Sequence, residues 1–140
     1  MADEQRENSP QITLTQVSTQ RSAEIGSWNI GWEIANHGED SLVFDSARLP
    51  HGQFRSDEHR FEPSVILHSG QKSQFTVPVK CNEPAGLVTE NAFIIFQVKW
   101  LGKAWRIFVR LRVHVSEDGR PLSGVESVTT QKVGFSGVDF

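Results

Sequence analysis

The side chains that could do chemistry in this chain are five histidines, His37, His51, His59, His68 and His114, and one thiol, Cys81. The densest group of ligand types is His51, Asp57, Glu58 and His59. If segment 50–60 folded back on itself, this group could form a weak metal cluster, because imidazole and carboxylate together suit a divalent cation. No His-Glu-x-x-His spacing occurs to put two imidazoles one helical turn apart. Carboxylates and histidines are also ordinary residues of solvated loops, and the segment is read as one. His37 and His68 sit in turn sequences. Cys81 ends the segment QFTVPVKC and has no neighbouring motif that would hold it as a thiolate, so it reads as a half-buried thiol. A Gly-x-Ser-x-Gly elbow, a Walker loop and a Gly-rich phosphate cradle are all missing. The expected catalytic, cofactor-binding and metal residues are therefore none, and no cofactor is implied.

Composition narrows the classes further. The 140 residues suit one domain of ordinary apolar content, with 37% hydrophobic and 22% charged residues. Fourteen Lys and Arg stand against seventeen Asp and Glu, which excludes a strongly cationic protein while leaving room for a local basic patch. A single cysteine cannot form an intrachain disulfide. The opening MADEQRENSP has no apolar leader segment, and no run of about 18 apolar residues could span a bilayer. The expected location is the cytoplasm, with no membrane partner.

The elements that would position any site are strands. Residues 1–11 are polar and read as a flexible tail. Ile12 and Leu14 open the first strand-like segment. In SWNIGWEIAN the large residues Trp28, Ile30, Trp32 and Ile34 alternate with smaller or polar ones. Asn36 to Asp40 form a turn, SLVFDSARL is a third strand, and residues 50–60 read as a loop. FEPSVIL is a short strand or edge segment, because Pro63 cannot donate to a ladder. QFTVPV follows, then two long segments, 92–100 and 104–115. The spacing of about 8–12 residues between strands, with no helical period, predicts an all-β sandwich of about seven antiparallel strands over residues 12–115. Residues 116–140 are left as a C-terminal extension that could pack on the sheet.

The closing hairpin carries most of the information. Gly102-Lys103 suits a two-residue type II′ turn. That turn sets Trp100 opposite Trp105, Val98 opposite Ile107, Phe96 opposite Val109, Ile94 opposite Leu111 and Ala92 opposite Val113, an entirely apolar face. The other face pairs Lys99 with Arg106, Gln97 with Phe108, Ile95 with Arg110 and Phe93 with Arg112, with His114 beyond. Residues 91–115 hold five of the fourteen bases and none of the seventeen acids. The candidate interaction face is thus Phe93, Ile95, Lys99, Arg106, Phe108, Arg110 and Arg112. Three readings of it stand open. The tail, with Val133, Phe135, Phe140, Glu126 and Asp139, could cover it, or it could be a plain solvated face. A protein partner or a second copy could dock there, since Arg and Phe are favoured in such patches. Nucleic acid could bind by phosphate contact and stacking, against which stands the acidic remainder of the chain.

Tryptophan opens a different class. Exposed Trp can stack on a sugar ring, which makes a carbohydrate- or small-ligand-binding module the alternative reading. All four Trp nonetheless fall on apolar faces. A hydrolase is a further alternative, without a motif to support it.

From Trp32 to Val115, the run WEIANHGEDSLVF, a proline loop, ILHSGQKSQFTVPV, a Pro/Gly loop and two closing strands resembles the immunoglobulin-like sandwiches of bacterial accessory domains and of the ASPM–SPD-2–Hydin group. It departs from antibody-type domains in having no cysteine pair and no Tyr for a tyrosine corner. The resemblance implies a non-catalytic protein-interaction or assembly module.

Overall fold

Strand alternation resolves into two antiparallel sheets. The computed structural model describes residues 8–50 and 52–134. The strands are β1 (Ile12–Arg21), β2 (Ser27–Asn36), β3 (Leu42–Leu49), β4 (Ser56–Leu67), β5 (Lys72–Lys80), β6 (Val88–Trp100), β7 (Lys103–Val115) and β8 (Pro121–Lys132). One sheet runs β1-β2-β5 and the other β4-β3-β6-β7-β8. Setting β1, β2 and β5 against β3, β6 and β7 is the split of the immunoglobulin arrangement. Two features depart from its simplest form: β4 pairs with β3, and β8 extends the larger sheet beyond β7.

Alternation decides what lies between the sheets. Trp28, Ile30, Trp32 and Ile34 of β2 and Val77 and Val79 of β5 are buried against Leu42 and Phe44 of β3, Ile94, Phe96 and Val98 of β6, and Ile107, Val109 and Leu111 of β7. An aromatic chain crosses the gap. Trp32 stacks on Phe75 at 5.8 Å, Phe75 meets Phe96 edge-on at 5.8 Å, and Phe96 meets Phe44 at 5.5 Å. Phe54, placed by sequence in a polar loop, is buried and packs edge-on against Trp32 at 6.2 Å.

Several expectations change. Seven strands fill residues 12–115 as expected; among the described residues an eighth, β8, is added beyond them, and the expected loop 50–60 is shorter because Ser56–Arg60 belongs to β4. Strand β4 does lie at a sheet edge, where Pro63 needs no ladder partner. Residues 121–132 of the expected extension pair with β7 along its edge from Trp105↔Lys132 to Val115↔Pro121, so this segment widens the sheet instead of lying across its face. Of the expected tail, residues 1–7 lie outside the described residues, and Pro10 is already buried.

The hairpin turn also moves. Leu101 and Gly102 both have positive φ, 51° and 73°, which is a type I′ turn, and Trp100 pairs with Lys103. Type I′ twist matches the twist of the strands it joins. The pairing slides by two residues from the expected one, so both faces keep their members while each loses its expected opposite. Trp100 and Trp105 are diagonal neighbours, and their rings still meet edge-on at 5.5 Å. The same slide pairs Ala92 with Leu111 instead of Val113, and beyond it a bulge at Glu90 and Asn91 shifts the register so that Thr89 meets Val113 and Val88 meets His114.

Two polar residues close the sandwich. Asn36, 1% exposed, donates through Nδ2 to the carbonyls of Asp40 and Leu67, both at 2.9 Å, and accepts from the Gly38 N–H at 2.9 Å. Its backbone bonds Gln71 and Gly70, so one residue ties the end of β2 to the approaches of β3, β4 and β5. On the flank, the Gln16 amide accepts from the Ser123 N–H at 2.8 Å and donates to the Pro121 carbonyl at 3.0 Å. It occupies the edge of β8 as a neighbouring peptide group would. Asn36→Ala strands two carbonyls and an N–H, and should lower the unfolding free energy by about 3 kcal/mol at unchanged m-value in urea. A loss below about 1 kcal/mol would show that the hub is dispensable.

Candidate functional site

The outer face of the five-stranded sheet collects every residue of the candidate patch. Cross-strand partners share a face, and here Phe93 pairs with Arg110, Ile95 with Phe108 and Gln97 with Arg106. Lys99 continues this face towards the turn, and Arg112 sits opposite the Glu90 bulge. The register adds two bases that the sequence reading missed. Arg48 of β3 pairs with Ile95, and Arg60 of β4 joins Gln97 through Ser46. Strand pairing alone brings them there from roughly 40–50 positions away, and no local pattern marks them.

The centre of this face is apolar and close-set. Ile95 is 7% exposed although no described element lies above it, while Phe93 and Phe108 are half-buried. Its cover is the side chains beside it, Arg48 and Phe108 across the strands and Phe93 along its own. Long cationic side chains can lay an apolar stem over such a surface while keeping their heads near water.

Charge on the face is only partly answered. Lys99 Nζ lies 2.9 Å from Asp45 Oδ2, and Arg112 Nε lies 3.0 Å from Glu90 Oε2. Burial alone would raise the Asp45 carboxyl, but hydrogen bonds from Lys99 and Ser64 and the charges of Lys99 and Arg60 outweigh it and hold the carboxyl below the usual range. Among the described residues, Arg48, Arg106 and Arg110 have no ion pair. The Nε groups of Arg48 and Arg110 are buried with no hydrogen-bond acceptor. Of the expected tail cover, Glu126 is an exposed residue of β8 and Val133 is 38% exposed just beyond its end, while Phe135, Asp139 and Phe140 lie outside the described residues.

The other candidates disperse. Asp57, Glu58 and His59 stand on β4 beside a cavity of about 530 Å³ that Arg55 and Lys80 also line. His59 packs edge-on against Phe61 at 5.3 Å. His51 is outside the described residues, and no metal-holding group of three His, Cys, Asp or Glu occurs among those described. Three of the four tryptophans, Trp28, Trp32 and Trp100, are at most 6% exposed, which leaves them no open ring face for a sugar. No helix among the described residues is long and apolar enough to cross a membrane.

Cys81 is buried, and that burial, with the nearby Glu83 carboxylate, pushes its thiol up to about 11. The neutral thiol is therefore the folded form at neutral pH, which is the wrong state for a nucleophile. At pH 8 a thiol reagent such as DTNB should label the native protein at least a hundredfold more slowly than the urea-unfolded chain. A folded value raised above the unfolded one contributes stability below the unfolded value of about 8.5 that is lost as pH rises towards about 11. The fall in stability over that window should be shallower in Cys81→Ala. Native labelling as fast as unfolded would overturn this assignment.

No family model matches the chain, and no curated protein does. Among solved structures, the X-ray structure of the Northeast Structural Genomics Consortium target SoR45 aligns over 89% of this chain and 86% of its own, at 14% identity and a TM-score of 0.33.

Proposed function

We propose that the protein is a non-catalytic interaction module that binds a protein partner through the outer face of its five-stranded sheet. The observation that carries this reading is the pair of buried, unanswered Nε–H groups of Arg48 and Arg110 beside the apolar centre Phe93, Ile95 and Phe108. A buried donor without an acceptor costs about 1–3 kcal/mol, and more on a charged group. Such a cost is tolerable where a partner supplies the acceptor on binding. An apolar centre ringed by Arg, with charge at the rim, is also the usual anatomy of a docking surface. The immunoglobulin-like resemblance points the same way, since such sandwiches are generally binding or assembly modules.

The test is charge reversal on the outer face, away from the interior between the two sheets. Immobilised protein should capture one or more defined proteins from a lysate of its own cells. Arg110→Glu with Arg112→Glu should reduce that capture at least tenfold while leaving Tm within about 2 °C, because neither side chain enters the core. Raising salt to about 0.5 M should weaken capture by the wild type, since rim charges are screened at that strength. Capture unchanged by both treatments would sink the reading.

A further inference from the structure

Gly124 of β8 lies opposite Arg112 on the outer face, and its missing side chain leaves a depression in the sheet. A cavity of about 440 Å³ opens there, lined by Val88, Arg112, His114, Leu122, Val125 and Glu126 and floored by Gly124. Three exposed aliphatic side chains surround it: Val88 at 38%, Leu122 at 44% and Val125 at 41%. Strand pairing explains the gathering. His114 pairs with both Val88 and Leu122, so these three form one row, and Arg112 with Gly124 forms the next. The row after that is Phe93, Arg110 and Ser127, so the depression runs directly into the basic patch.

The guanidinium groups beside it have capacity left. Glu90 takes the Arg112 Nε, which leaves its terminal nitrogens without a hydrogen bond among the described residues. Arg110 Nε has no acceptor among the described residues. Glu126 stands on the far rim, at the bulge of β8, and Glu90 is paired with Arg112, so the charge left unanswered beside the depression among the described residues is that of Arg110.

We propose that this depression seats one apolar side chain of an acidic segment of a partner protein, whose carboxylates bond Arg110 and Arg112. The inference rests on the docking face proposed above and adds the partner's chemistry. Charge complementarity selects the acidic partner, because Arg presents a planar fork that matches a carboxylate. Aliphatic walls of this size around a glycine floor suit a single Leu, Ile or Phe as anchor.

Gly124 makes the test clean. A Cβ built on it meets nothing within 4 Å and its φ is ordinary, so a side chain there fills the depression without strain. A random twelve-residue peptide library displayed on phage would be selected on the wild-type protein. Enriched peptides should carry more Asp and Glu than Lys and Arg, with one recurring large apolar residue. A synthetic peptide of the enriched consensus should bind Gly124→Phe at least tenfold more weakly, and lose a similar factor when its apolar residue becomes Ala. Leu122→Ser, which removes an exposed wall, should weaken it in the same direction, so the result does not hang on one variant. Failure to enrich any peptide, or enriched peptides without an acidic excess, would overturn the inference. So would a tighter complex with a twelve-nucleotide single strand, or a dimer in solution that Gly124→Phe dissociates. If the peptide loses affinity on Arg110→Glu with Arg112→Glu but not on Gly124→Phe or Leu122→Ser, the anchor is wrong while the docking face stands.

Discussion

Side-chain alternation in the β6–β7 hairpin is the constraint on which the remaining structure depends. One face of this pair carries Ile94, Phe96, Val98, Trp100, Ile107, Val109, Leu111 and Val113, all buried except at the turn end, where Trp105 is half-exposed. A slip by one residue would turn these outward and carry Arg106, Arg110 and Arg112 into the core, where an unpaired cation costs several kcal/mol. The register is therefore fixed in parity by burial. Within that parity, the turn chooses. Leu101 at positive φ costs roughly 1–2 kcal/mol, and the twist of a type I′ turn offsets it across two long strands. The basic outer face is thus a consequence of how the core is filled.

An aromatic core without tyrosine suits this arrangement. Phe rings carry no hydroxyl to satisfy, so Phe44, Phe54 and Phe96 can be fully buried. The two indole N–H groups deepest in the core both find partners, Trp28 Nε1 donating to the Cys81 carbonyl at 2.8 Å and Trp32 Nε1 to Ser123 Oγ at 3.4 Å. Ser123 is also where the Gln16 amide bonds β8, so the flank closure and the Trp32 site share one residue. Polar groups in this protein are concentrated where sheets end or edges meet, as at Asn36 and Gln16, and the interior between them is left to rings and aliphatics.

What the sequence made legible follows the same logic. The two faces of the hairpin and the cores of β2 and β5 were readable because large apolar residues recur at every second position, and parity survives an error in the turn. β8 was not readable as a strand. Its apolar residues Leu122, Val125 and Val128 straddle a bulge, and an edge strand needs only a few inward positions. Phe54 was lost in a polar context because only its tertiary neighbour, Trp32, makes it core. Arg48 and Arg60 join the basic patch through lateral pairing, and no window of sequence spans that distance.

The two kinds of cation on the outer face then behave differently. Lys99 with Asp45 and Arg112 with Glu90 are exposed ion pairs, worth roughly 0–1 kcal/mol each, and they orient side chains more than they stabilise the fold. Arg48 and Arg110 are set deeper, with Nε out of water and no acceptor among the described residues. Arg48 stands opposite Ile95 and Arg110 opposite Phe93, so their apolar stems can flank the apolar centre even as each guanidinium loses hydration. Substituting Leu at either position would keep the cover and remove the cost, which makes the guanidinium itself the part that the fold does not need. A carboxylate arriving from outside would meet a donor already desolvated and already held in place, and would give up little in ordering it. The feature that is least useful to the isolated sandwich is therefore the one best prepared for an acidic partner.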